Sequence, residues 1–479
     1  MRKQDLIKIN DYLWEIPKSF RSDMLVGARF YATEKLLEDV LKDKSLEQLV
    51  NLCTLRGIKR YGLAMPDIHE GYASPIGGVA GVDIQEGIIS PGMQGYDINC
   101  GMRILKSDYL EQDIKPYLSQ LTDEIYQEVP SGLGQGRKLK INISALDKIL
   151  EGGAKELVNT GYGEPEDLEN CEAQGCLDNA CASAVSLLAK KRGQNQVGTL
   201  GSGNHFIEIQ RVSNIYDNKI AEIFGLFQNQ IVIMIHTGSR GLGHQVATDY
   251  IREFLGLMDK YQIKVADKEF ACVPFKSSEG QRCYEASQAA ANYAWANRQM
   301  ISYYIRKAWN NIFKQKRNKL MTLYDVAHNI IKLEQYQIDN ELRQLAIHRK
   351  GATRAFPPGH PEVPEKYRLA GQPVLIPGSM GSSSYVLHGT EQAEQSFYST
   401  CHGAGRVMSR HEAMRRISGQ QLKKQMENQG IIIKVGSLSD LAEEAPFAYK
   451  NINDVVDIVH QAGLAKKVTE LKPLAVIKG

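Results

Sequence analysis

No apolar run in the chain approaches the ~18 residues that a membrane-spanning helix requires. The longest sharp one, Ile231-Val-Ile-Met-Ile235, has the length of a strand. The N-terminal MRKQDLIKIND alternates polar and apolar residues and has no hydrophobic signal region, so a signal peptide is not expected. The expected compartment is the cytoplasm, with no membrane partner. Internal repeats, low-complexity segments and Pro/Ser-rich linkers are also missing. That argues for one unit over 1–479 rather than beads on a string. An excess of either charge is absent too: 58 basic against 55 acidic residues leave a net +3. Such a balance neither demands nor excludes a nucleic acid, because a local basic face is what holds phosphate. Four basic clusters exist, at Arg137–Lys140, Lys190–Arg192, Lys314–Lys319 and His348–Arg354. The simplest reading of each is a solvated surface run. The eight cysteines show no paired C-x2-C spacing. Cys171, Cys176 and Cys181 form C-x4-C-x4-C with no second pair, so zinc is not expected there. A chain this large does not need disulfides, and the cytosol keeps thiols reduced.

What remains is a composition close to the globular average, 43% apolar and 24% charged. Thr33 to Lys42 reads as a helix with Leu36, Leu37, Val40 and Leu41 on one face. Ser45-Leu-Glu-Gln48 has the form of a capping box opening a helix that runs to Cys53. From Arg60 to Leu105 short β-prone pieces alternate with glycine. Helical periodicity is expected again over 109–128 and 176–190, and an alanine-rich helix over about Glu285 to Lys314. Residues 320–390 read as strand and loop, and helices are expected after His402 and after Leu441. Strands and helices do not alternate regularly, so the expected fold class is α+β.

Metal-binding side chains gather in glycine-rich contexts near the ends of β-like runs. They are Asp97 and Cys100 in GYDINCG, His205 in GSGNHF, His236 in IMIHTGSRG and His328 in YDVAHN. A thiolate, imidazoles and one carboxylate suit zinc or cobalt(II) on chemistry alone. Because a thiolate sulfur can bridge, one Cys, one Asp and three His could serve two ions. Three glycine-rich loops could cradle phosphate: Gly198–His205, Thr237–Gly243 leading to a helix near Gln245, and Pro377–Ser384. His402 in CHGAGR has glycines beside it that leave room for a bulky partner, and Arg406 and Arg410 could lie one turn apart facing a phosphate. Its imidazole is open to a structural role, a general-base role or a nucleophilic one.

Several of these runs, in order, resemble one family. Met65-Pro-Asp67-Ile-His69, SPG…GYDINCG at 90–101, LGSGNHFIEIQ at 200–210, HTGSRGLGHQVA at 236–247 and YDVAHN at 324–329 are similar to the RtcB-type RNA-splicing ligases. So are HRKGATRAFPPGHPEVP at 348–364, IPGSMGSSSYVL at 376–387, CHGAGRV at 401–407 and the terminal AYKNINDVV…AVIKG. The resemblance spans essentially the whole chain and implies one RtcB-like ligase domain over 1–479. It implies joining of RNA 2′,3′-cyclic phosphate or 3′-phosphate ends to 5′-hydroxyl ends, with GTP and Mn(II), in tRNA splicing or RNA repair. It implies one Mn(II) on Asp97, Cys100 and His205 and another on Cys100, His236 and His328. It also implies a GMP–histidine formed at His402. Asp67 is the candidate to orient that imidazole. The guanine pocket would involve Asn204, Phe206, Glu208, Ser383, Tyr449 and Lys478. His328, Asn329, Pro377, Gly378, Ser379, Met380, His402, Gly403, Ala404 and Gly405 would complete the nucleotide site. Arg192, Arg240, Arg406 and Arg410 would meet phosphates. RNA is the expected partner, with archease a candidate activator and a monomer the expected state. Two departures stand out: Met93-Gln94 in the loop before Asp97, and Ala73-Ser74 where the family commonly has Gly-Phe. A di-metal phosphoesterase would need the metal ligands but not His402, Glu208 or Lys478. A non-catalytic RNA-binding protein would not need to keep all the ligands.

Overall fold

The computed structural model describes residues 1–132, 139, 141–314 and 319–479. Arg137, Lys138, Lys140, Lys316 and Arg317 lie outside them, so two of the four basic clusters are mostly outside the described residues.

Two large mixed sheets carry the architecture, in the expected α+β arrangement. The first runs in the order 7–8, 13–16, 27–31, 58–69, 76–83, 341–350, 329–338. The second runs 321–327, 101–110, 230–237, 206–215, 465–478, 384–389, 373–376, and strand 432–435 pairs in parallel with the far half of 465–478. Gln230–Thr237 is buried along its whole length. Its continuous apolar run fits a central strand covered on both faces. Behind this sheet lies the helix Ser278–Phe313, capped by the Ser277 hydroxyl, which accepts from Gly280 N. Its alanines bury almost completely and let the backbone approach closely.

Register is what positions the site. Gly101 pairs with both Ala327 and Thr237, and His236 pairs with Phe206. Cys100, His205 and His328 therefore flank the same end of four neighbouring strands, beside His236. Deeper in, Arg298 from the long helix donates to the carbonyls of Asn99 and Thr237 and bonds Asp325. Both charged groups are fully buried. Arg103 pairs with the same carboxylate, so a buried Arg103–Asp325–Arg298 network braces the strand ends that carry the cluster.

Several expected elements differ in detail. The helix at 45–52 forms, but Ser45 does not cap it. Asp43 accepts from the Ser45 hydroxyl, and Gln48 is drawn away to exchange hydrogen bonds with Gly71 of the neighbouring loop. Residues 176–186 are turns and a short 3-10 segment; helix begins only at Leu187. The helix expected near Gln245 starts at Arg240, and the alanine-rich helix starts at Ser278 rather than Glu285. The helix Ile143–Asn159, capped by Asn142, carried no marked sequence expectation. The cluster at 348–354 is not a solvated run: His348, Arg349, Lys350 and Arg354 are buried, with Arg349 paired to Glu334. They lie on the strand Glu341–Lys350, whose C-terminal half is buried without alternation, and on the buried short strand after it.

Candidate active site

At the common strand end the donor atoms converge into two groups sharing a thiol: Asp97, Cys100 and His205, and Cys100, His236 and His328. Cys100 Sγ lies 3.2 Å from His236 Nε2 and 3.6 Å from His205 Nε2. The Nε2 atoms of His236 and His328 are 3.3 Å apart, and His205 Nε2 is 2.9 Å from Asp97 Oδ2. The other Asp97 oxygen accepts from Ser239 N at 2.9 Å, which fixes the carboxylate.

The chemistry of this donor set fits divalent metal. Burial, and then the neighbouring imidazoles, hold His236 and His328 well below the usual histidine range, so their ring lone pairs are available. Burial opposes the charge on Asp97, yet the His205 hydrogen bond and the Arg240 guanidinium keep its carboxyl well below its ordinary value. Burial and the Asp97 charge push the Cys100 thiol well up. A cation held there would offset that penalty by favouring the thiolate. Among the described residues Cys171, Cys176 and Cys181 form no such group. They are free thiols, and Cys171 and Cys176 line a separate cleft of about 1080 Å³ that touches none of the expected site residues.

His402 sits beside this cluster, its ring centroid 4.9 Å from that of His328. The strand Ser399–Cys401 pairs with 352–354, and Ala352 N donates to the His328 carbonyl, which brings the two histidines together. Asp67 Oδ2 lies 2.6 Å from His402 Nδ1 and accepts from His402 N at 3.1 Å; Asp67 is fully buried. Nδ1 is thereby tied, and Nε2 is the ring nitrogen left free for chemistry.

One cavity adjoins His402. Asn204, Phe206, His236, Pro377, Gly378, Ser379, Met380, Gly403, Ala404, Gly405, Arg406, Arg410, Tyr449 and Lys478 line it together with His69, Ile76 and Glu444. Lys478 reaches it because strand Ala465–Lys478 pairs Ile477 with Ile207 and Val476 with Glu208; the chain's end is an ordered, buried strand. Glu208 lies just behind. Burial pushes its carboxyl up to about 8, against the hydrogen bond from Gln210 and the charge of Lys478. Ser383 is not on this cavity; its hydroxyl donates to Glu470. Asn329 spends its side chain on the Asp97 carbonyl and Gly351 N.

The arginines divide. Arg406 is not on a helix with Arg410: Ser409 caps a helix that begins at Arg410, and Arg406 bonds Glu444, Tyr449 and the Met408 and Glu443 carbonyls. It is therefore committed to the cavity wall, not one turn from Arg410 facing a phosphate. Arg410 is half-exposed, 3.3 Å from Glu444. Arg240 packs over Gly201, whose left-handed backbone and missing Cβ leave space for the guanidinium, and its Nη1 is 3.4 Å from His205 Nδ1. Arg192 is exposed and bonds Gln245. Glu444 went unremarked in the sequence. It sits in LAEEAPF, where no local signal separates it from a surface acid. Yet it is buried, and the charges of Lys478, Arg406 and Arg410 keep it ionised against burial.

Two groups of donor atoms that share a thiol and could hold metal ions lie beside an imidazole hydrogen-bonded to a buried carboxylate, the kind of site found in metal-dependent enzymes. The family model described as tRNA-splicing ligase RtcB matches residues 48–479. Several curated proteins named tRNA-splicing ligase RtcB align along nearly their whole length. The one from Thermococcus kodakarensis is 48% identical over 477 residues, 99% of each chain. That from Archaeoglobus fulgidus is 49% identical over 477 residues, 99% of each, and that from Methanococcus maripaludis 46% over 480, 100% of each. The chain belongs to the RtcB family of tRNA-splicing ligases, which places it among RNA ligases. No helix among the described residues is long and apolar enough to cross a membrane.

Proposed function

We propose that this chain is a GTP-dependent ligase joining RNA 2′,3′-cyclic phosphate or 3′-phosphate ends to 5′-hydroxyl ends, with tRNA exon halves or broken RNA as substrate. The observation that carries the reading is His402: its Nδ1 is held 2.6 Å from buried Asp67 on the wall of a cavity shared with Phe206, Tyr449 and Lys478. His402 Nε2 attacks the α-phosphorus of GTP; a P–N bond forms, the bond to the β-phosphate oxygen breaks, and pyrophosphate leaves. A cyclic end first takes up water at phosphorus, its P–O2′ bond breaking to free the 2′-hydroxyl; an oxygen of the RNA 3′-phosphate then attacks the GMP phosphorus, and the P–N bond breaks with its electron pair returning to Nε2. The capped end is attackable because GMP is a far better leaving group than the hydroxide that an uncapped phosphate would have to expel. The 5′-hydroxyl oxygen attacks the RNA phosphorus, loses its proton, and GMP departs.

Asp97, Cys100 and His205, and Cys100, His236 and His328, would hold two Mn(II), whose Lewis acidity would offset charge building on the phosphate oxygens. The protein's own part is orientation. Asp67 fixes the imidazole tautomer, Phe206 offers a face for the base, and Glu208 offers an acceptor for the guanine N1–H and N2–H. Arg240 and Arg410 supply positive charge toward phosphates.

The test is incubation with α-labelled GTP and Mn(II), then denaturing electrophoresis. Label should stay on the chain through alkali and fall off in mild acid, as a phosphoramidate does. His402→Ala should lose both labelling and sealing, yet still seal RNA supplied with a preformed 3′-GMP cap. An acid-stable adduct, or label persisting in His402→Ala, would identify a different nucleophile.

A further inference from the structure

We propose that Lys450 is a positioning residue for His402, acting through Asp67; the inference rests on reading His402 as the nucleophile. Strand Ile58–His69 loses its partners around Asp67. Its parallel pairing with 27–31 ends at Ala64, and its antiparallel pairing with 76–83 skips from Ala64 to His69. Residues 65–68 therefore lie outside both ladders. Asp67 itself has few fixings: Oδ2 is used on His402, and Oδ1 is buried with no hydrogen-bond partner. His69 Nδ1 meets the Asp67 carbonyl at 2.8 Å; the carbonyls on either side of it need partners of their own.

Lys450 supplies them. Its buried Nζ donates to the carbonyl of Pro66 at 3.2 Å and to that of Ile68, one on each side of Asp67. Its backbone N–H donates to the Gly405 carbonyl at 2.9 Å, in the loop that carries His402. At Gly405 the left-handed backbone has no Cβ, and one would meet the Asp67 backbone. A single residue thus ties the nucleophile's loop to the strand of its orienter. A lysine suits the task because its ammonium has three donors on a long stem. Burying that charge is costly unless it is hydrogen-bonded. Burial lowers Lys450 to about 8, and among the acids around it Asp67 offsets this most.

The test separates the steps of the reaction. Lys450→Met keeps the side chain's bulk and removes the donors. Single-turnover labelling with α-labelled GTP and Mn(II) should fall by about ten- to a hundredfold, since a misplaced attacking group loses rate on that scale. Equilibrium binding of GTP should change by less than about threefold, and sealing of RNA bearing a preformed 3′-GMP cap, which bypasses His402, should be far less affected than labelling. Equal losses in labelling and capped-end sealing would overturn the inference, because Lys450 would then be a general strut. Unchanged labelling would overturn it as well. Should Lys450→Met fail to fold, Lys450→Arg carries the same comparison: its bulkier fork shifts residues 66–68, so labelling should drop more than capped-end sealing. Equal effects there are again fatal to the inference. If the wild-type protein takes no acid-labile label, or His402→Ala still does, it is the nucleophile reading that fails, not the link from Lys450 to Asp67.

Discussion

Single residues decide the chemistry of this site. Cys100 alone belongs to both metal-ligand groups. Cys100→Ser replaces a soft thiolate with a hydroxyl that ionises far less readily. Mn(II) titration calorimetry should show both binding events lost, against a partial loss in His328→Ala; two tight ions in Cys100→Ser would remove the bridging assignment. Glu208 makes a pH prediction. Its folded value is raised to about 8. The folded chain thus holds a proton that the unfolded chain has released above the ordinary carboxylate range. The associated stability is complete at low pH and is lost as pH rises through about 8. Denaturant midpoints should fall between about pH 5 and pH 8 in the wild type and flatten in Glu208→Gln. If Glu208 accepts from guanine, GTP binding at pH 7 should release a proton. Ala73 stands in the left-handed region at φ 59°, where a side chain costs roughly 1 kcal/mol. Of the site residues, Asp97, Cys100, His205, His236, His328 and His402 were legible as candidates in the sequence because each sits in a short distinctive run, most of them glycine-rich. Lys450 and Glu444 were not: one lies in a helix approach, the other among surface-like acids, and only the fold turns both inward.

At the scale of elements, the terminal strand and the long helix matter most. The strand Ala465–Lys478 carries Lys478 to the cavity instead of fraying. Removing Lys478-Gly479 should cost about 1.5–3 kcal/mol of nucleotide interaction, a ten- to hundredfold loss in GTP use, and weaken the preference over ATP. Guanylylation rates with the two nucleotides measure this; unchanged rates and choice would take the tail out of the pocket. The helix Ser278–Phe313 contributes Arg298, whose partner Asp325 is also fully buried. Arg298→Met leaves the Asn99 and Thr237 carbonyls without their donor and leaves Asp325 to Arg103 alone, and should lower stability by about 1–3 kcal/mol in denaturant titration. The long helix was legible from its alanine-rich run. The 176–186 segment was misread as helix, because its apolar spacing serves turns packed on that long helix instead.

At the scale of the molecule, the metal groups join four strands and two loops that are far apart in sequence. Bound metal should therefore stabilise the whole fold. With one site filled at a hundred times its Kd, Mn(II) should add about 2.7 kcal/mol. Thermal scans should show a rise in Tm that EDTA reverses and that His328→Ala diminishes. No rise at saturating Mn(II) would mean that the cluster does not bind the ion in the folded state.

The order of motifs and the donor types were set by the sequence alone, because glycine-rich loops and isolated His, Cys and Asp residues are local features. So were the α+β class and the apolar central strand, which rest on periodicity. Tertiary structure alone decided the rest. The pairing of Gly101 with Thr237 and Ala327, and of Phe206 with His236, brings the donors within bonding reach. The buried run at 348–354 reads as surface charge until a sheet closes over it. Asp67 meets His402 across 335 residues, a separation no local spacing rule can span, since strand register brings the two together and their own hydrogen bonds join them.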